Sequence, residues 1–355
     1  MIPAERALLY AASFASLLAG CDGCGDEAPA APATSTTGAP PRAFVTVDED
    51  LVCASPGSAP VRCYGRRGTD ARARREALRD PIHVALGADG RACVVTSAGV
   101  VRCSDGDRWR DVAAGEAIEV GLGAEHACAL RRDGTVVCWG RNERGQLGDG
   151  ATEPRAEPVP VAGVSDVEAI AVGAAHACAL TRSGTVWCWG GFPRVDDIAA
   201  SPDTPEELLA AAAQRPPPIT RAEPVPGLGR ALRIAAYGNA SCAVTSGGRV
   251  ACWPGYLGQG ARAEPLPWPD DAARLAMGAL GACVVRASGG AACWGHTAGD
   301  GRTRAVVPSA VRGIDGAVEL AVGSDRACAL RESGEVVCFR PDGELVALGS
   351  ELDSR

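Results

Sequence analysis

The sequence contains no lysine, so all 35 of its basic residues are arginine. With 43 acidic residues and a formal net charge of −8, it lacks the basic surface that a phosphate backbone attracts, and we expect no nucleic-acid partner. Aromatic residues make up only 4% of the chain, so a packed core must consist mainly of alanine, valine, leucine and cysteine. The composition also excludes collagen, a coiled coil and a protein with several membrane-spanning helices.

Glycine, proline and cysteine are abundant instead. The 45 glycines and 25 prolines indicate many turns rather than long helices. Sixteen cysteines are too many for a reduced cytosolic protein of 355 residues. The cysteine content therefore favours an exported protein with disulfide bonds.

The first 20 residues have the features of an export signal. Arg6 and the amino terminus form a short positive segment, and the apolar run from Ala7 to Leu18 suits a signal peptide but is too short to span a bilayer. The run ends in Leu-Ala-Gly-Cys at 18–21, which resembles the lipobox of bacterial lipoproteins. This resemblance implies a diacylglyceryl group on the thiol of Cys21. We expect a lipid anchor in the bacterial cell envelope, in either the inner or the outer membrane.

Residues 21–42 are rich in alanine, proline, threonine and glycine and show no periodicity, which predicts a disordered tether. Cys24 lies in this tether at Cys-x-x-Cys spacing from Cys21, the spacing of a redox or metal pair. Acylation of Cys21 would remove that possibility and leave Cys24 without a partner.

The other 14 cysteines form seven pairs with the same ten-residue separation. Successive pairs begin 35 to 64 residues apart, and strand-rich repeats of about 40–50 residues are typical of β-propellers. The residue after the second cysteine is aromatic in six pairs, and Ser104 is the exception. The pairs are Cys53 with Cys63, Cys93 with Cys103, Cys128 with Cys138, Cys178 with Cys188, Cys242 with Cys252, Cys283 with Cys293, and Cys328 with Cys338.

Each pair fits a β-hairpin. In the unit 178–188, a three-residue loop at 182–184 with glycine in the left-handed position places Cys178 directly opposite Cys188. Side chains alternate along a strand, so Cys188 and Trp189 point to opposite faces of the sheet. We therefore expect a disulfide bond within each hairpin, on one face of the sheet, with the aromatic residues on the other face.

Two segments resemble a known repeat. HACALTRSGTVWCWG at 176–190 and GRNERGQLGDG at 140–150 are similar to the repeat of the regulator-of-chromosome-condensation family. The resemblance implies an all-β, seven-bladed propeller over 43–350, closed by one terminal strand beside the other terminus. The family includes a nucleotide-exchange factor, and a secreted enzyme inhibitor that shares this propeller type covers another protein with one face of the ring. It therefore implies surface recognition of other proteins.

The chemistry-bearing residues favour structure over catalysis. His126 and His176 share a repeat position, which indicates a structural role such as a hydrogen bond between blades. A phosphate-binding loop is suggested by the glycine spacing at Gly145, Gly148 and Gly150, but these residues belong to the turn of the repeat. HExxH, GxSxG and Walker motifs are absent. We expect no enzyme activity, no cofactor and no metal site.

Two segments depart from the repeat. Residues 191–222 replace the short loop after Gly190 and contain a capped helix start at Thr204, and residues 66–80 form a smaller basic insertion. Both are either tolerated loop growth or a partner-contact surface. The second interpretation assigns partner binding to Phe192, Glu206, Leu208 and Leu209.

The sequence therefore predicts a monomeric, membrane-anchored, extracytoplasmic protein-interaction module whose protein partner it does not identify. Two alternatives remain: a secreted-type enzyme inhibitor that acts through one propeller face, and an enzyme with a pocket on one ring face. Acids or histidines that converge around the central channel would favour the enzyme. An exposed aromatic patch on a ring face would favour a binding protein.

Overall fold

The described strands form seven antiparallel sheets of four strands each, which are the blades of a β-propeller. In this computed structural model, the described residues are 43–47, 51–57, 61–65, 81–87, 90–105, 108–191, 217–254, 262–267, 270–295, 309–340, 344–346, 348 and 350–351. They belong to the unit Ala39–Arg355. Within these ranges, no helix is long and apolar enough to cross a membrane.

The strands follow the chain blade by blade, and the first strand of each blade lies next to the first strands of its neighbours, around the central channel. The first three blades contain β1 (Phe44–Val47), β2 (Leu51–Ser55) and β3 (Arg62–Gly65); β4 (Pro81–Leu86), β5 (Ala92–Thr96), β6 (Val101–Asp105) and β7 (Arg108–Val112); and β8 (Ala117–Leu122), β9 (His126–Arg131), β10 (Val136–Gly140) and β11 (Arg155–Pro160).

The remaining strands complete four more blades and the ring. They are β12 (Val167–Val172), β13 (His176–Thr181), β14 (Val186–Gly190) and β15 (Ile219–Pro224); β16 (Ala231–Tyr237), β17 (Ala240–Thr245), β18 (Val250–Pro254) and β19 (Glu264–Pro265); β20 (Ala272–Gly278), β21 (Gly281–Arg286), β22 (Ala291–Trp294) and β23 (Ser309–Val311); β24 (Ala317–Val322), β25 (Ala327–Arg331), β26 (Val336–Phe339) and β27 (Leu345–Val346); and β28 (Ser350–Glu351).

The predicted hairpin register is confirmed. Cys178 lies opposite Cys188, the Thr181 N–H donates to the Thr185 carbonyl over 3.0 Å, and Gly184 has a φ of 87°. Positive φ is costly for any residue with a Cβ, so glycine suits this turn. The Cα atoms of the paired cysteines are thereby brought close enough for a disulfide bond.

The prediction of one disulfide-linked hairpin per blade is confirmed as well. All seven cysteine pairs are bonded, with Cα–Cα distances of 4.0–4.1 Å. Each bond lies within its own hairpin, and none of them joins two blades. The bonds join Cys53 to Cys63, Cys93 to Cys103, Cys128 to Cys138, Cys178 to Cys188, Cys242 to Cys252, Cys283 to Cys293, and Cys328 to Cys338.

Each interface between blades combines the disulfide of one blade with an aromatic ring of the next. Trp189 of blade 4 packs in the cluster that contains Cys128 and Cys138 of blade 3, and Phe339 of blade 7 packs with the disulfide of blade 6. The same arrangement closes the circle, because Tyr64 of blade 1 packs with the disulfide of blade 7. Sulfur beside aromatic rings is a favourable contact.

Blade 2 obtains its aromatic ring from a different strand. Ser104 stands where the other blades carry the aromatic residue, and its Oγ accepts a hydrogen bond from the Ala92 N–H over 2.8 Å. Trp109 is paired with Ser104 across the strands β6 and β7, so it lies on the same face and packs against the cluster of Cys53 and Cys63. A cross-strand partner thus replaces the missing ring.

The ring is closed by the carboxy-terminal strand. Ser350 pairs with Gly65 and Glu351 pairs with Tyr64, so β28 becomes the fourth strand of blade 1. This explains why the first blade has no proline-bearing outer strand of its own, such as 155–160 in blade 3. The pairing leaves β3 with a neighbour instead of an exposed edge.

Candidate functional site

The two ends of the ring carry different connections between strands. We call one end the loop face, because it holds the turns between first and second strands and the connections between third and fourth strands. In blade 3 these are residues 123–125 and 141–154. The tight turns between second and third strands lie at the opposite end. Variable segments are therefore concentrated on the loop face.

The insertion in blade 4 starts and ends at the anchors of an ordinary loop. Gly190 pairs with Ile219 in blade 4, as Gly140 pairs with Arg155 in blade 3. Most of the insertion lies outside the described residues, including the predicted contact residues Phe192, Glu206, Leu208 and Leu209. The insertion at 66–80, the tether and Cys21 also lie outside them. The binding and lipidation assignments thus stay predictions.

The loop at 141–150 is held by its own hydrogen bonds. The Leu147 N–H donates to Asn142 Oδ1 over 2.9 Å, and Asn142 Nδ2 donates to the Ala151 carbonyl over 3.1 Å. Asn142 and Leu147 are both fully buried. The Gly148 N–H donates to Gly145 and the Gly150 N–H donates to Thr220. These amides have partners within the fold, which supports a turn and not a phosphate cradle.

The repeated histidines are buried at the loop-face end of their strands. His176 Nε2 lies 2.7 Å from Ser241 Oγ of the next blade, which is the predicted hydrogen bond between blades. Ala177 occupies the position of Ser241 relative to His126, so His126 has no hydroxyl partner at that position of the next blade. The two histidines therefore share a position but differ in their contacts.

These histidines should make the folded protein sensitive to acid. Burial lowers the pKa of His176 from 6.5 to about 4, and burial with the nearby His176 and Arg91 lowers the pKa of His126 to about 3. Since an unfolded histidine gains its proton near 6.5, we expect the free energy of unfolding to be flat above about pH 7 and to fall below about 6.5. The slope is up to about 1.4 kcal/mol per pH unit for each histidine.

Urea unfolding between about pH 7.5 and about 4.5 measures this slope. The variant His126→Gln/His176→Gln is the matched comparison and should lose less stability on acidification. Burial raises the pKa of Glu319. Protonation of Glu319 relieves the cost of burying its charge, so this residue makes the folded protein more stable as the pH falls. Glu319 is present in both proteins, so its contribution cancels when their two pH slopes are subtracted. Equal slopes for the two proteins would contradict a role for the histidines.

A ring of equivalent residues lines the channel side of the blades. Each lies on a first strand, two positions before the residue paired with the first cysteine of its blade. We call this set the inner ring: Phe44, His83, Glu119, Ala169, Arg233, Arg274 and Glu319.

Several inner-ring side chains contact the next blade. The rings of Phe44 and His83 lie 5.3 Å apart, and Arg274 Nε lies 3.4 Å from a carboxylate oxygen of Glu319. The Ile170 N–H donates to Glu119 Oε1 over 3.4 Å. Burial lowers the pKa of His83 to about 4, so its ring is neutral at physiological pH. These residues therefore join blades, and the described residues contain no cluster of His, Cys, Asp or Glu suited to a metal.

A cavity of about 210 Å³ lies between blades 6 and 7, at the loop-face ends of their strands. Its walls are mainly apolar and include a disulfide bond and two aromatic rings. The lining residues are Leu280, Gly281, Ala282, Cys283, Cys293, Trp294, Gly295, Val322, Ala327 and Phe339. Concave apolar sites of this kind are the usual places for ligands or partner side chains.

The cavity and the inner ring were both missed by the sequence interpretation. The sequence does contain a signal for the inner ring. Its charged members each lie nine positions before the first cysteine of their own blade: Glu119, Arg233, Arg274 and Glu319. The exposed large hydrophobic residues in the described ranges are Val100, Leu232 and Leu345, which belong to different blades. They form no aromatic patch.

Comparison with known proteins agrees with this geometry. The regulator of chromosome condensation (RCC1) repeat matches residues 133–180, and a second description of that repeat matches 117–146. No curated protein gives a match. Human WBSCR16 is 16% identical with a TM-score of 0.60, over 81% of this chain and 86% of that one.

Two further solved structures share the fold at low identity. Yeast RCC1 (Prp20), in a crystal with Kap60, is 15% identical with a TM-score of 0.51, over 74% of this chain and 73% of that one. The CRINKLY WD40 ectodomain of the Arabidopsis thaliana receptor kinase ACR4 is 21% identical with a TM-score of 0.51, over 86% and 97%. At these identities the likeness concerns the fold. The chain is thus a seven-bladed β-propeller with disulfide-linked blades, and it matches the regulator of chromosome condensation (RCC1) repeat at 117–180.

Proposed function

We propose that this protein is a lipid-anchored, extracytoplasmic interaction module of the bacterial cell envelope that binds a partner protein through its loop face. The observation that carries the proposal is the retained register of blade 4. Gly190 and Ile219 keep the pairing of an ordinary blade although a much longer segment separates them. The added residues thus emerge from the loop face without altering the sheet, which is how rigid scaffolds present binding loops.

The disulfide bonds support the extracytoplasmic part of the proposal. Seven bonds within hairpins would not persist in a reducing cytosol. The Leu-Ala-Gly-Cys segment at 18–21 supports lipidation of Cys21. A protein of this fold is known with a protein partner, since Kap60 was crystallised bound to yeast RCC1 (Prp20).

The inner ring does not favour the enzyme alternative. Its polar members contact the neighbouring blade, as Glu119 does through Ile170 and Arg274 does through Glu319. A neutral His83 against Phe44 has no described carboxylate beside it to act as an acid–base partner. The secreted-type inhibitor remains a special case of the proposal, because inhibition would also use one face of the ring.

Crosslinking in intact cells tests the face that binds. A photoreactive phenylalanine analogue at Thr152 lies on the loop face, and the same analogue at Asp133 lies in the hairpin turn at the opposite end; both positions are exposed. We expect a crosslinked protein from the Thr152 position and none from Asp133. Crosslinks from Asp133 alone would place binding on the wrong face and contradict the proposal.

Replacing residues 191–218 by the loop 141–154 tests the insertion itself. Both segments connect equivalent anchors, and loop length changes closure entropy only slowly, so the melting temperature should change by no more than a few degrees. Capture of the protein crosslinked at Thr152 should weaken at least tenfold. A large loss of melting temperature would mean that the insertion belongs to the core, and undiminished capture would mean that it does not bind the partner.

A further inference from the structure

The outer edge of blade 2 differs from the outer edges of the other blades. β7 (Arg108–Val112) is the fourth strand of blade 2, and no strand in the described ranges pairs with its outer side. It has five residues, whereas the fourth strands of blades 5, 6 and 7 have only two or three. An exposed edge strand is a template for pairing with another chain, and proteins usually shorten or block it.

The register shows which backbone groups of β7 face outwards. In the hairpin of blade 2, the two cysteines lie three positions beyond the bonded pair next to the turn, so they form a non-hydrogen-bonded pair. Cys103 therefore directs its N–H and C=O towards β7, where it pairs with Arg110. Since these directions alternate along a strand, the N–H and C=O groups of Trp109 and Asp111 point away from the blade.

In blades 3 to 5, proline blocks the position equivalent to Asp111. This position lies opposite the residue before the second cysteine of the blade, and proline there has no N–H to offer a further strand. The three prolines are Pro160, Pro224 and Pro265.

The position equivalent to Trp109 is blocked in the same three blades. It is Pro158 in blade 3. In blades 4 and 5 its N–H donates to a carbonyl of the preceding blade's connection, from Ala222 to Ala162 over 2.9 Å and from Ala263 to Pro226 over 3.1 Å. Trp109 and Asp111 both keep their N–H groups, and the described part of the chain provides no backbone partner for either.

The side chains of β7 indicate what kind of strand can pair with it. Arg108 and Arg110 are exposed on one face, and Trp109 and Asp111 lie on the other. A second copy of this chain is a poor match. Any antiparallel register that pairs three or more residues of β7 with the same strand of another copy puts Arg110 opposite an arginine or Asp111 opposite itself. Like charges directly opposite each other destabilise a sheet, whereas acidic residues opposite the two arginines stabilise it.

From these observations, we infer that the outer edge of blade 2 binds an extended segment of a partner protein by strand addition, and that this segment carries acidic residues at alternate positions. In such complexes the main-chain hydrogen bonds provide affinity and the alternating side chains provide specificity. The edge lies on the outer rim of the ring and not on the loop face. The inference therefore goes beyond the proposed function and adds a second binding surface.

A synthetic peptide is the probe. A blocked peptide containing Val-Arg-Glu-Val-Glu, paired antiparallel with β7, places its glutamates opposite Arg110 and Arg108, and the same peptide with arginine for both glutamates is its control. Amide hydrogen exchange at Trp109 and Asp111 should be fast in the native protein and slow when the glutamate peptide is bound. The arginine peptide should bind at least about tenfold more weakly.

Three variants identify the edge that binds. Asp111→Pro introduces the residue that blades 3 to 5 carry at this position, so it should fold and should bind the glutamate peptide at least about tenfold more weakly. Asp111→Ala loses the ion pair with Arg102 but keeps the N–H, so it should bind more tightly than Asp111→Pro. Ala310→Pro changes the equivalent position of blade 6 and should leave binding unchanged.

Several results would overturn the inference. Slow exchange at Trp109 and Asp111 without peptide would mean that another segment of this chain covers the edge. A dimer in sedimentation experiments that Asp111→Pro dissociates would assign the edge to a second copy. Equal binding of the two peptides, or no binding at all, would also contradict it, and neither measurement requires a variant to fold. Crosslinking from Thr152 tests the loop face independently of all these results.

Discussion

Replacement of Trp189 by alanine is expected to lower the free energy of unfolding by about 3–5 kcal/mol, the range for a fully buried aromatic residue. Trp189 is 1% exposed and packs against the disulfide of Cys128 and Cys138. Its Nε1–H donates to the carbonyl of Gln146 over 2.9 Å. The substitution therefore opens a cavity between blades 3 and 4 and leaves a buried carbonyl without its donor.

Trp139→Ala is the matched control, because Trp139 has the same register position in blade 3. Trp139 is half-buried, since only two residues separate the third and fourth strands of blade 2, which leaves no room for a covering loop such as 141–150. Urea unfolding under non-reducing conditions should show a clearly smaller loss for Trp139→Ala. Equal losses would mean that the loop over Trp189 adds nothing to stability.

Substitution of Cys21 by serine is expected to move the protein from the membrane fraction to the soluble fraction. A diacylglyceryl group contributes about 0.8 kcal/mol for each buried CH₂, and this anchor depends on the thiol. Fractionation of cells and incorporation of labelled fatty acid measure the two parts of the prediction. Cys24→Ser is the control and should stay in the membrane fraction with its label.

Two results would contradict the lipid anchor. One is a Cys21→Ser variant that remains in the membrane fraction, and the other is a native protein that takes up no labelled fatty acid. Neither result bears on the propeller fold, which is defined by the repeats beyond residue 43. The anchor and the fold can therefore be tested separately.

The local part of the fold could be predicted from the sequence. A ten-residue spacing and a three-residue turn fix the hairpin register, so Cys178 and Cys188 were correctly placed opposite each other. Alternation along the strand also placed Trp189 on the other face of the sheet. These inferences needed only contacts between residues close in the chain.

Contacts between distant residues could not be predicted in the same way. In blade 2, Trp109 supplies the aromatic ring that is missing at Ser104. Trp109 lies on β7, a strand without a cysteine, so the register of its pairing with β6 could not be read from the sequence. The cavity forms between residues such as Gly281 and Phe339, which belong to different blades and lie far apart in the chain. Which terminus closes the ring depended on two residues at 350–351, too few to show a pattern.

The position of the disulfides within single hairpins has a consequence for the proposed export of the chain. When a chain crosses a membrane from its amino terminus, its cysteines reach the oxidising side in sequence order. From Cys53 to Cys338, joining every second cysteine that arrives to the one just before it gives all seven native pairs, without later exchange between them. Oxidation can thus keep pace with translocation, while the sheet of blade 1 waits for Ser350 and Glu351, the last strand to arrive.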